Sequence, residues 1–462
     1  MKRIAGVVAM LLMAGACASG GAGNNTTVAG EAGIDTTVAT SGSTGTTTGD
    51  TAGGSDTTAG GTTAMTEGCT PLTDGTPWTD EITAEAVTLQ EPGPDNVGVQ
   101  AVVYPRPDYE GRPWSQWGQG FALPDGRFLS AIGDHGGADA NSYFYEYDPA
   151  SGVLTQIADA LSLIDHTSGD WGYGKVHAQM VAGPCGDVFT STYWGTRRDL
   201  TYQGSYTGDY LIRIDPESRT IAAPRVLAEE RGSASMASWP EGGLIYAEAA
   251  DPFGRKTGDF VVLDALTGDT VFSDASAEHG GYRSIAVDTE GGAWITWNDT
   301  SLARYDPATN TLEPTDVTLP GTTLRAATRP DADGTIYGVT DEPPIFFALE
   351  PDGTVRELGS ARHYTTSLAL SADESRFFSV PGAHGGLADQ NTPLVAIDTE
   401  TGAEAVLVEL YPLVSEGLGL TLGGTYNVVA SGENTLYIGM NAGTPGVEGS
   451  FGEIILLIVT LP

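Results

Sequence analysis

The turn Tyr147-Asp148-Pro149-Ala150-Ser151-Gly152 decides how this chain is expected to fold, because variants of it return along the sequence. Further copies are found at Ile214–Arg219, Leu263–Gly268, Tyr305–Asn310, Leu349–Gly353 and Ile397–Gly402. Their acidic residues, at positions 148, 215, 264, 306, 350 and 398, are separated by 42 to 67 residues. A period of this size, with strand-like patterns between the turns, is typical of a β-propeller.

Each repeat follows one pattern of four strands. An apolar strand leads through a Gly/Asp turn to a second strand, and a longer loop leads to a third. The Asp-Pro-type turn then joins the third strand to the fourth. We count seven such units, and six or eight blades remain open because the loops of the third and seventh units are irregular. No stretch has a convincing helical period, so the predicted fold class is all-β.

The seventh unit ends with Glu453–Leu461 and lacks a fourth strand. A candidate for that strand precedes the first repeat, since Val97–Tyr104 alternates as a strand does. We expect it at the outer edge of the last blade, where it would close the ring and remove the open sheet edges. The predicted propeller domain is therefore residues 69–462.

The N-terminus, residues 1–16, has the pattern of an export signal. Two basic residues precede the apolar run Ile4–Met13, and Ala14-Gly15-Ala16 supplies small residues before Cys17. The apolar run is too short to cross a bilayer as a helix. Small residues followed at once by cysteine resemble the bacterial lipobox, although Ala14 stands where leucine is preferred. This predicts lipidation of Cys17 and anchoring outside a bacterial cell, with simple secretion as the alternative.

A linker of unusual composition follows the signal. Residues 17–67 consist almost wholly of Gly, Thr, Ala and Ser with scattered Asp. Such a segment cannot bury enough apolar surface to offset its ordering entropy, so we expect it to be disordered. As a flexible coil of about 50 residues it would reach roughly 40 Å and act as a tether.

The net charge of the chain limits its partners. With 21 basic and 60 acidic side chains, the formal charge is −39, which repels nucleic acid and anionic membranes. We therefore expect no nucleic-acid partner, and membrane contact only through the lipid anchor. We also expect a monomer, which the charge does not decide. Solubility alone would explain the acidity; attraction of cations or basic partners is the other explanation.

Two cysteines remain after Cys17, and an oxidising compartment favours their pairing. Cys69 opens the predicted domain, and Cys185 lies in the turn Gly183–Asp187 of the second repeat. A Cys69–Cys185 disulfide would attach the end of the tether to the domain. Two unpaired thiols are the alternative.

The histidines point to one face of the predicted ring. In a propeller, the segments that lead into first strands and the loops from second to third strands emerge on one face, called here the channel face. All six histidines fall in such segments, although these loops are also the longer ones. They are His135 and His384 between second and third strands, His166 and His279 between blades, and His177 and His363 at the start of inner strands.

Two of the histidine loops resemble each other. His135 and His384 are each followed by Gly-Gly and then by Asp and Asn. In a seven-bladed ring their blades are separated by one blade, so the two imidazoles could face one ligand or metal. The alternative is that the Asp and Asn side chains only cap turns.

Other polar and aromatic groups are expected on the same face. Aromatic rings with arginine, histidine and carboxylates suit a sugar, a uronate or a peptide. Solvated loops with structural aromatics are the alternative. The candidate ligand-binding residues are His135, Tyr193, Trp194, Arg197, Glu248, Arg283, Asn298, Arg325, Tyr364 and Tyr426.

Four stretches carry a resemblance to known propellers: Gly133–Gly136, Gly174–Gln179, Thr192–Gly195 and Val380–Gly385. With them, the repeats from about Trp114 to Pro462 resemble secreted propellers of the NHL-repeat and streptogramin-lyase-like kind, here in a lipoprotein branch. Lyases of this shape use channel-face histidines and a divalent metal. The resemblance implies His177 and His363 as catalytic residues, and as metal ligands His177, His363, His384 and Gln179.

Two functions follow from these patterns. The first is a lipid-anchored propeller that binds a small polar molecule or a cell-surface protein on its histidine-rich channel face. The alternative is a divalent-metal-dependent lyase or hydrolase acting on a sugar, uronate or lactone-type substrate, with a histidine as base and Arg283 or Arg325 on the anionic group. A redox or quinone-dependent propeller is a third, weaker option. The chain has no Gly-x-Ser-x-Gly, His-Glu-x-x-His or EF-hand pattern.

Overall fold

The computed structural model describes residues 69, 72, 74–94, 96–105, 114–136, 138–193, 205–251, 258–276, 278–279, 283–383, 390–446 and 452–462. The predicted signal, the lipidation site Cys17 and the linker, residues 1–67, lie outside this part of the chain. Within it, seven β-sheets are arranged as a β-propeller, which confirms the predicted fold class and blade number.

Four short strands precede the first repeat, and none of them forms a sheet of its own. These are β1 (Thr76–Pro77), β2 (Thr83–Glu85), β3 (Val87–Gln90) and β4 (Gly98–Val103). Strand β1 extends the sheet of the second repeat, β2 that of the first, and β3 and β4 that of the last.

The first three blades follow in chain order. Blade 1 contains β5 (Phe121–Ala122), β6 (Phe128–Gly133), β7 (Ser142–Asp148) and β8 (Val153–Asp159), followed by the short helix α1 (Ala160–Leu163). Blade 2 contains β9 (Val181–Ala182), β10 (Val188–Ser191), β11 (Tyr210–Asp215), β12 (Thr220–Ile221) and β13 (Arg225–Val226). Blade 3 contains β14 (Gly232–Trp239), β15 (Leu244–Ala250), β16 (Asp259–Asp264) and β17 (Thr270–Asp274).

The last four blades complete the ring. Blade 4 contains β18 (Ala286–Val287), β19 (Ala293–Trp297), β20 (Ser301–Asp306) and β21 (Thr311–Thr318). Blade 5 contains β22 (Thr322–Ala327), β23 (Ile336–Glu342), β24 (Ile345–Leu349) and β25 (Val355–Ser360). Blade 6 contains β26 (Ala369–Leu370), β27 (Arg376–Ser379), β28 (Pro393–Asp398) and β29 (Glu404–Glu409), followed by the helix α2 (Leu410–Leu418). Blade 7 contains β30 (Thr421–Ser431), β31 (Thr435–Gly443) and β32 (Glu453–Thr460).

The hydrophobic core is divided among the interfaces between neighbouring blades. Because successive side chains of a strand point to opposite faces, β15 contributes to two interfaces. Ile245 and Ala247 pack towards blade 2, whereas Tyr246 packs with Ile295 and Tyr305 of blade 4. The same alternation places Glu248, two residues after Tyr246, on the side of blade 3 that faces blade 4.

The Asp-Pro-type turns owe their shape to the aspartate side chain. In the first copy, Asp148 Oδ1 accepts a hydrogen bond from the Ala150 amide at 2.9 Å, and the Gly152 amide donates to the Asp148 carbonyl at 2.8 Å. Gly152 has φ 72°, a left-handed conformation that glycine adopts without strain. The recurring sequence is therefore the signature of a turn that joins third and fourth strands.

The ring closes as the sequence predicts. Strand β4 pairs antiparallel with β32 from Gly98↔Thr460 to Val103↔Ile455, so that blade 7 is built from both ends of the domain. Strand β3 then pairs with β4 on its outer side. Pairing the two ends in one sheet satisfies the backbone groups that an open blade would expose.

The segment before β4 makes contacts that the sequence analysis did not anticipate. Strands β1, β2 and β3 lie on the outer edges of blades 2, 1 and 7, so residues 76–90 cross three successive blades. These strands have two to four residues and are mostly exposed, so they show no clear alternation. A disulfide joins Cys69 to Cys185 and fixes the start of this segment to the first turn of blade 2.

One helix departs from the predicted pattern. Helix α2 has nine residues, and only Leu410 and Val414 are buried in it. Two buried residues in just over two turns are too few to produce a recognisable period. No helix in the described ranges is long and apolar enough to span a membrane.

We expect ring closure to depend on the apolar face of β4. Val99 is fully buried against the core of blade 7, whereas the neighbouring Gln100 is exposed. Val99→Asp would bury an unpaired charge, so it should lower the free energy of unfolding by more than about 3 kcal/mol. Gln100→Asp, the matched control, should cost about 1 kcal/mol at most. Urea-induced unfolding measures both, and equal effects would show that β4 does not hold the ring.

Candidate functional site at the channel mouth

Ten described side chains meet at one end of the central channel, and every blade contributes at least one of them. They come from segments that lead into first strands, from the first strands themselves, and from second strands and the residues that follow them. We call this set the channel mouth: Trp117, His135, Lys175, His177, Tyr193, Glu248, Arg283, Arg325, Tyr364 and Tyr426.

His177 is held by hydrogen bonds on both ring nitrogens. Nδ1 lies 2.8 Å from the carbonyl oxygen of Ala234, which can only accept, so Nδ1 carries the proton. Nε2 then accepts from Arg283 Nη1 at 3.0 Å. The imidazole thus joins three blades and orients the Arg283 guanidinium.

Tyr426 reaches across the channel. Its ring centroid lies 5.1 Å from that of Trp117 in blade 1 and 6.2 Å from that of His177 in blade 2. Arg325 Cζ of blade 5 lies 5.6 Å from the same centroid. Because blades 2 and 5 stand on opposite sides of a seven-membered ring, Tyr426 contributes the central surface of the channel mouth.

Arg325 is buried, with 2% of its surface exposed. Its Nε donates to the Tyr364 hydroxyl at 2.6 Å, and its Cζ lies 5.0 Å from the Tyr364 ring centroid. Contacts of this kind with two tyrosine rings stabilise a desolvated cation by about 2 kcal/mol or more. Tyr364 of blade 6 and Tyr426 of blade 7 therefore hold the guanidinium of Arg325, which belongs to blade 5.

Lys175 holds a second buried cation among aromatic rings. Its Nζ lies 4.4 Å from the Trp117 ring centroid and 5.5 Å from that of Tyr193. The ring of His135 lies 5.7 Å from Trp117, and that of His177 lies 5.3 Å from Tyr193. One side of the channel mouth is thus a continuous set of rings around an ammonium group.

Burial, assisted by the nearby cations, keeps both histidines of the channel mouth neutral. Burial, with a contribution from Lys175, lowers the pKa of His135 to about 3. Burial also holds the pKa of His177 well below its ordinary value, and the charges of Arg283, Lys175 and Arg325 act in the same direction. The imidazoles therefore serve as neutral hydrogen-bonding groups at physiological pH.

Glu248 is a buried carboxyl group facing blade 4. It is 1% exposed, and Ser235 Oγ donates to its Oε2 at 2.7 Å. Its Oε1 has no hydrogen-bond partner within the described chain. Burial raises the pKa of Glu248 to about 8, although the Ser235 hydroxyl and the Arg283 charge lower it. At neutral pH the group is mostly the uncharged acid.

Some predicted residues lie apart from this set or have structural contacts. Gln179 Oε1 accepts from the Met236 amide at 2.9 Å, and its Nε2 donates to the Arg283 carbonyl at 3.4 Å. Asn298 is exposed with φ 48°. His363 is partly buried, and its Nδ1 has no partner among the described residues. Three predicted residues lie outside the described ranges: Trp194, Arg197 and His384.

Two members of the channel mouth, Trp117 and Lys175, were absent from all of the predicted site residues. A signal for Lys175 exists in the composition, because the chain has three lysines, at positions 2, 175 and 256. A lysine two residues before His177, in a segment leading into an inner strand, is unusual in such a sequence. Trp117 has no comparable signal.

Two described cavities lie elsewhere, among the turns at the other end of the blades. One of about 620 Å³ lies between blades 4 and 5 and is lined by Asp288, Arg304 and Glu350 among others. Another of about 420 Å³ lies between blades 7 and 1. In the first, Arg304 Nε already donates to Asp288 Oδ2 at 2.7 Å, so its cation is used in a structural ion pair.

Comparison with solved structures identifies similar folds. The selenomethionine-substituted virginiamycin B lyase from Staphylococcus aureus is 11% identical, covers 79% of this chain and 100% of its own, and gives a TM-score of 0.51. A catalytically inactive variant of the same lyase with quinupristin has the same identity and coverage, with a TM-score of 0.49. The chain resembles virginiamycin B lyase in fold. At 11% identity the likeness extends to the fold alone.

No protein-family model and no curated protein matches the chain. The likeness in fold to virginiamycin B lyase confirms the predicted resemblance to streptogramin-lyase-like propellers for the architecture. Any activity has to be argued from the residues of the channel mouth.

The raised pKa of Glu248 makes a pH-dependent contribution to stability. The folded protein keeps this proton up to about pH 8, whereas the unfolded chain loses it near the ordinary glutamate value, so the contribution is present at low pH and lost as pH rises. Between the ordinary glutamate pKa and about pH 8, the free energy of unfolding of Glu248→Gln should rise relative to that of wild type by about 1.4 kcal/mol per pH unit. Unfolding free energies at pH 5 and pH 9 measure the change, with Glu357→Gln on the exposed face of β25 as control. A difference independent of pH would contradict the assignment.

Proposed function

We propose that the protein is an extracytoplasmic, lipid-anchored β-propeller that binds a polar ligand or a loop of a protein partner at the channel mouth. The observation that carries the proposal is the convergence of Arg283, Arg325 and Lys175 with aromatic rings around Tyr426. The stability of any one blade does not account for side chains that come together from all seven blades, and a binding role does.

The chemistry of these groups favours recognition of a polar molecule. Guanidinium and ammonium groups donate hydrogen bonds to oxygen atoms, and neutral imidazoles and the Glu248 carboxyl add directional contacts. Aromatic rings offer flat surfaces for a sugar ring or an apolar side chain. Bonds such as those from Arg283 to His177 and from Arg325 to Tyr364 hold the cations in place before a ligand arrives, which reduces the entropy lost on binding.

The described residues do not fit the divalent metal that the alternative function requires. The lone pair of His177 Nε2 accepts from Arg283, and Gln179 Oε1 accepts from a backbone amide. The nearby cations that lower the pKa of His177 also disfavour a divalent ion beside it. No group of three metal-binding side chains occurs in the described ranges, which leave out His384.

The binding function therefore accounts for the channel mouth better than the lyase or hydrolase function. The likeness to virginiamycin B lyase supports a propeller, and it does not carry that enzyme's reaction to this chain. Localisation rests on the sequence of residues 1–17, namely the export-signal pattern and the lipobox-like cysteine.

A screen with matched tyrosine variants tests binding at the channel mouth. We expect galactose, galacturonate or triglycine to raise the melting temperature of the protein. Tyr364→Phe removes the hydroxyl that positions Arg325, so it should weaken the binding of such a ligand about fivefold in calorimetric titration. Tyr437→Phe, which removes a hydroxyl bonded to the Gly126 carbonyl at the other end of the blades, should leave affinity unchanged. Equal effects of the two variants would place the ligand elsewhere.

The anchor is tested separately through Cys17. When the protein is expressed in a bacterium with labelled palmitate, wild type should carry label and enter the detergent phase on phase separation, because two or more acyl chains hold it in the membrane. Cys17→Ser should carry no label and remain in the aqueous phase. A labelled Cys17→Ser protein, or an unlabelled wild type, would refute lipidation at this residue.

A further inference from the structure

The channel mouth gathers three cations in a strongly acidic chain. The sequence has a formal charge of −39, yet one of its three lysines and two buried or half-buried arginines stand together here. Lys175 is 3% and Arg325 2% exposed. Removing such groups from water is costly unless something compensates, so their collection at one place calls for an explanation.

Two acidic groups near Arg283 and Arg325 have raised pKa values. Glu248 Oε2 is bonded to Ser235, and burial keeps most of this carboxyl uncharged at neutral pH. Asp341 of blade 5 also has its pKa raised by burial, against the lowering effect of Arg325 and Arg283. The described ion pairs include eight arginines bonded to Asp or Glu, and Arg325 is not among them.

The hydrogen-bond donors of Arg325 indicate which chemical group a ligand would offer. Its Nε is used by Tyr364, and among the described residues no hydrogen bond from Nη1 or Nη2 is present. These two nitrogens form the parallel pair with which guanidinium binds two oxygens of one acid group. The rings of Tyr364 and Tyr426, 5.0 and 5.6 Å from Arg325 Cζ, restrict the movement of the guanidinium.

We propose, on the basis of the binding function above, that the ligand of the channel mouth is a small ring-bearing molecule with an oxyanion group, which Arg325 binds and Lys175 and Arg283 attract. The oxyanion is a carboxylate or a phosphate, since both present paired oxygens to a guanidinium. The ring of the ligand lies against the aromatic surface formed by Trp117, Tyr193 and Tyr426.

Three sugars that share a ring and differ in charge test this inference: galacturonate, galactose 6-phosphate and galactose. Each is titrated calorimetrically into the full-length protein, wild type and Arg325→Gln. The control is Arg329→Gln, which makes the same change four residues later in the same blade. Arg329 is exposed and bonded to Glu374 at 2.7 Å. Arg325→Lys keeps the charge without the paired donors, and it serves if Arg325→Gln fails to fold.

We expect wild type to bind at least one of the two anions at least tenfold more tightly than galactose, because charge-assisted hydrogen bonds contribute about 1.5–3 kcal/mol. Arg325→Gln should lose about tenfold or more in anion affinity, Arg325→Lys should lose less, and Arg329→Gln should match wild type. Tighter binding of galacturonate identifies a carboxylate, and tighter binding of galactose 6-phosphate identifies a phosphate.

Two results would overturn the inference in distinguishable ways. If galactose bound as tightly as both anions and Arg325→Gln bound all three like wild type, the oxyanion would be refuted while a polar-ligand site remained. If neither anion bound at millimolar concentration, the oxyanion would again be refuted. If galactose and triglycine also failed to bind, the proposed binding function would be refuted together with the oxyanion.

Discussion

The pairing of β4 with β32 holds the first and last parts of the domain in one sheet, and the position of every blade depends on it. A single blade adds little stability by itself, because its apolar residues are buried only against the two neighbouring blades. When the ends are joined, seven interfaces constrain one another around the channel. The side chains at its mouth are separated by as many as 309 positions in sequence, as Trp117 and Tyr426 are, and the closed ring brings them together.

The channel mouth combines groups whose environments control each other. Lys175, Arg283 and Arg325 help keep His177 neutral, and the neutral ring in turn accepts the hydrogen bond that orients Arg283. Glu248, buried beside them, stays mostly protonated at neutral pH and therefore adds little negative charge of its own. This mutual dependence distinguishes the site from the turns at the other end of the blades, where arginines such as Arg304 form ion pairs with carboxylates.

The sequence predicted the architecture well because the information is local and repeated. The Asp turn, its left-handed glycine and the flanking strands recur in short stretches, and the alternation of Val97–Tyr104 marks the closing strand. The outer strands β1, β2 and β3 were missed because they are short and mostly exposed, and α2 because it buries only two residues. Eight of the ten channel-mouth residues were among the predicted site residues, because their positions at strand starts and ends place them on one face. The bond between His177 and Arg283 could not be predicted, since it depends on how blades 2 and 4 sit around the axis.

The disulfide between Cys69 and Cys185 determines how the domain responds to mechanical load. A pull on the chain before Cys69 passes through the sulfur atoms directly into the first turn of blade 2. The strands β1 to β4, which follow Cys69 in sequence, therefore lie outside the path of the force. Tension applied before Cys69 is therefore carried by the disulfide and blade 2, and not by β1 to β4.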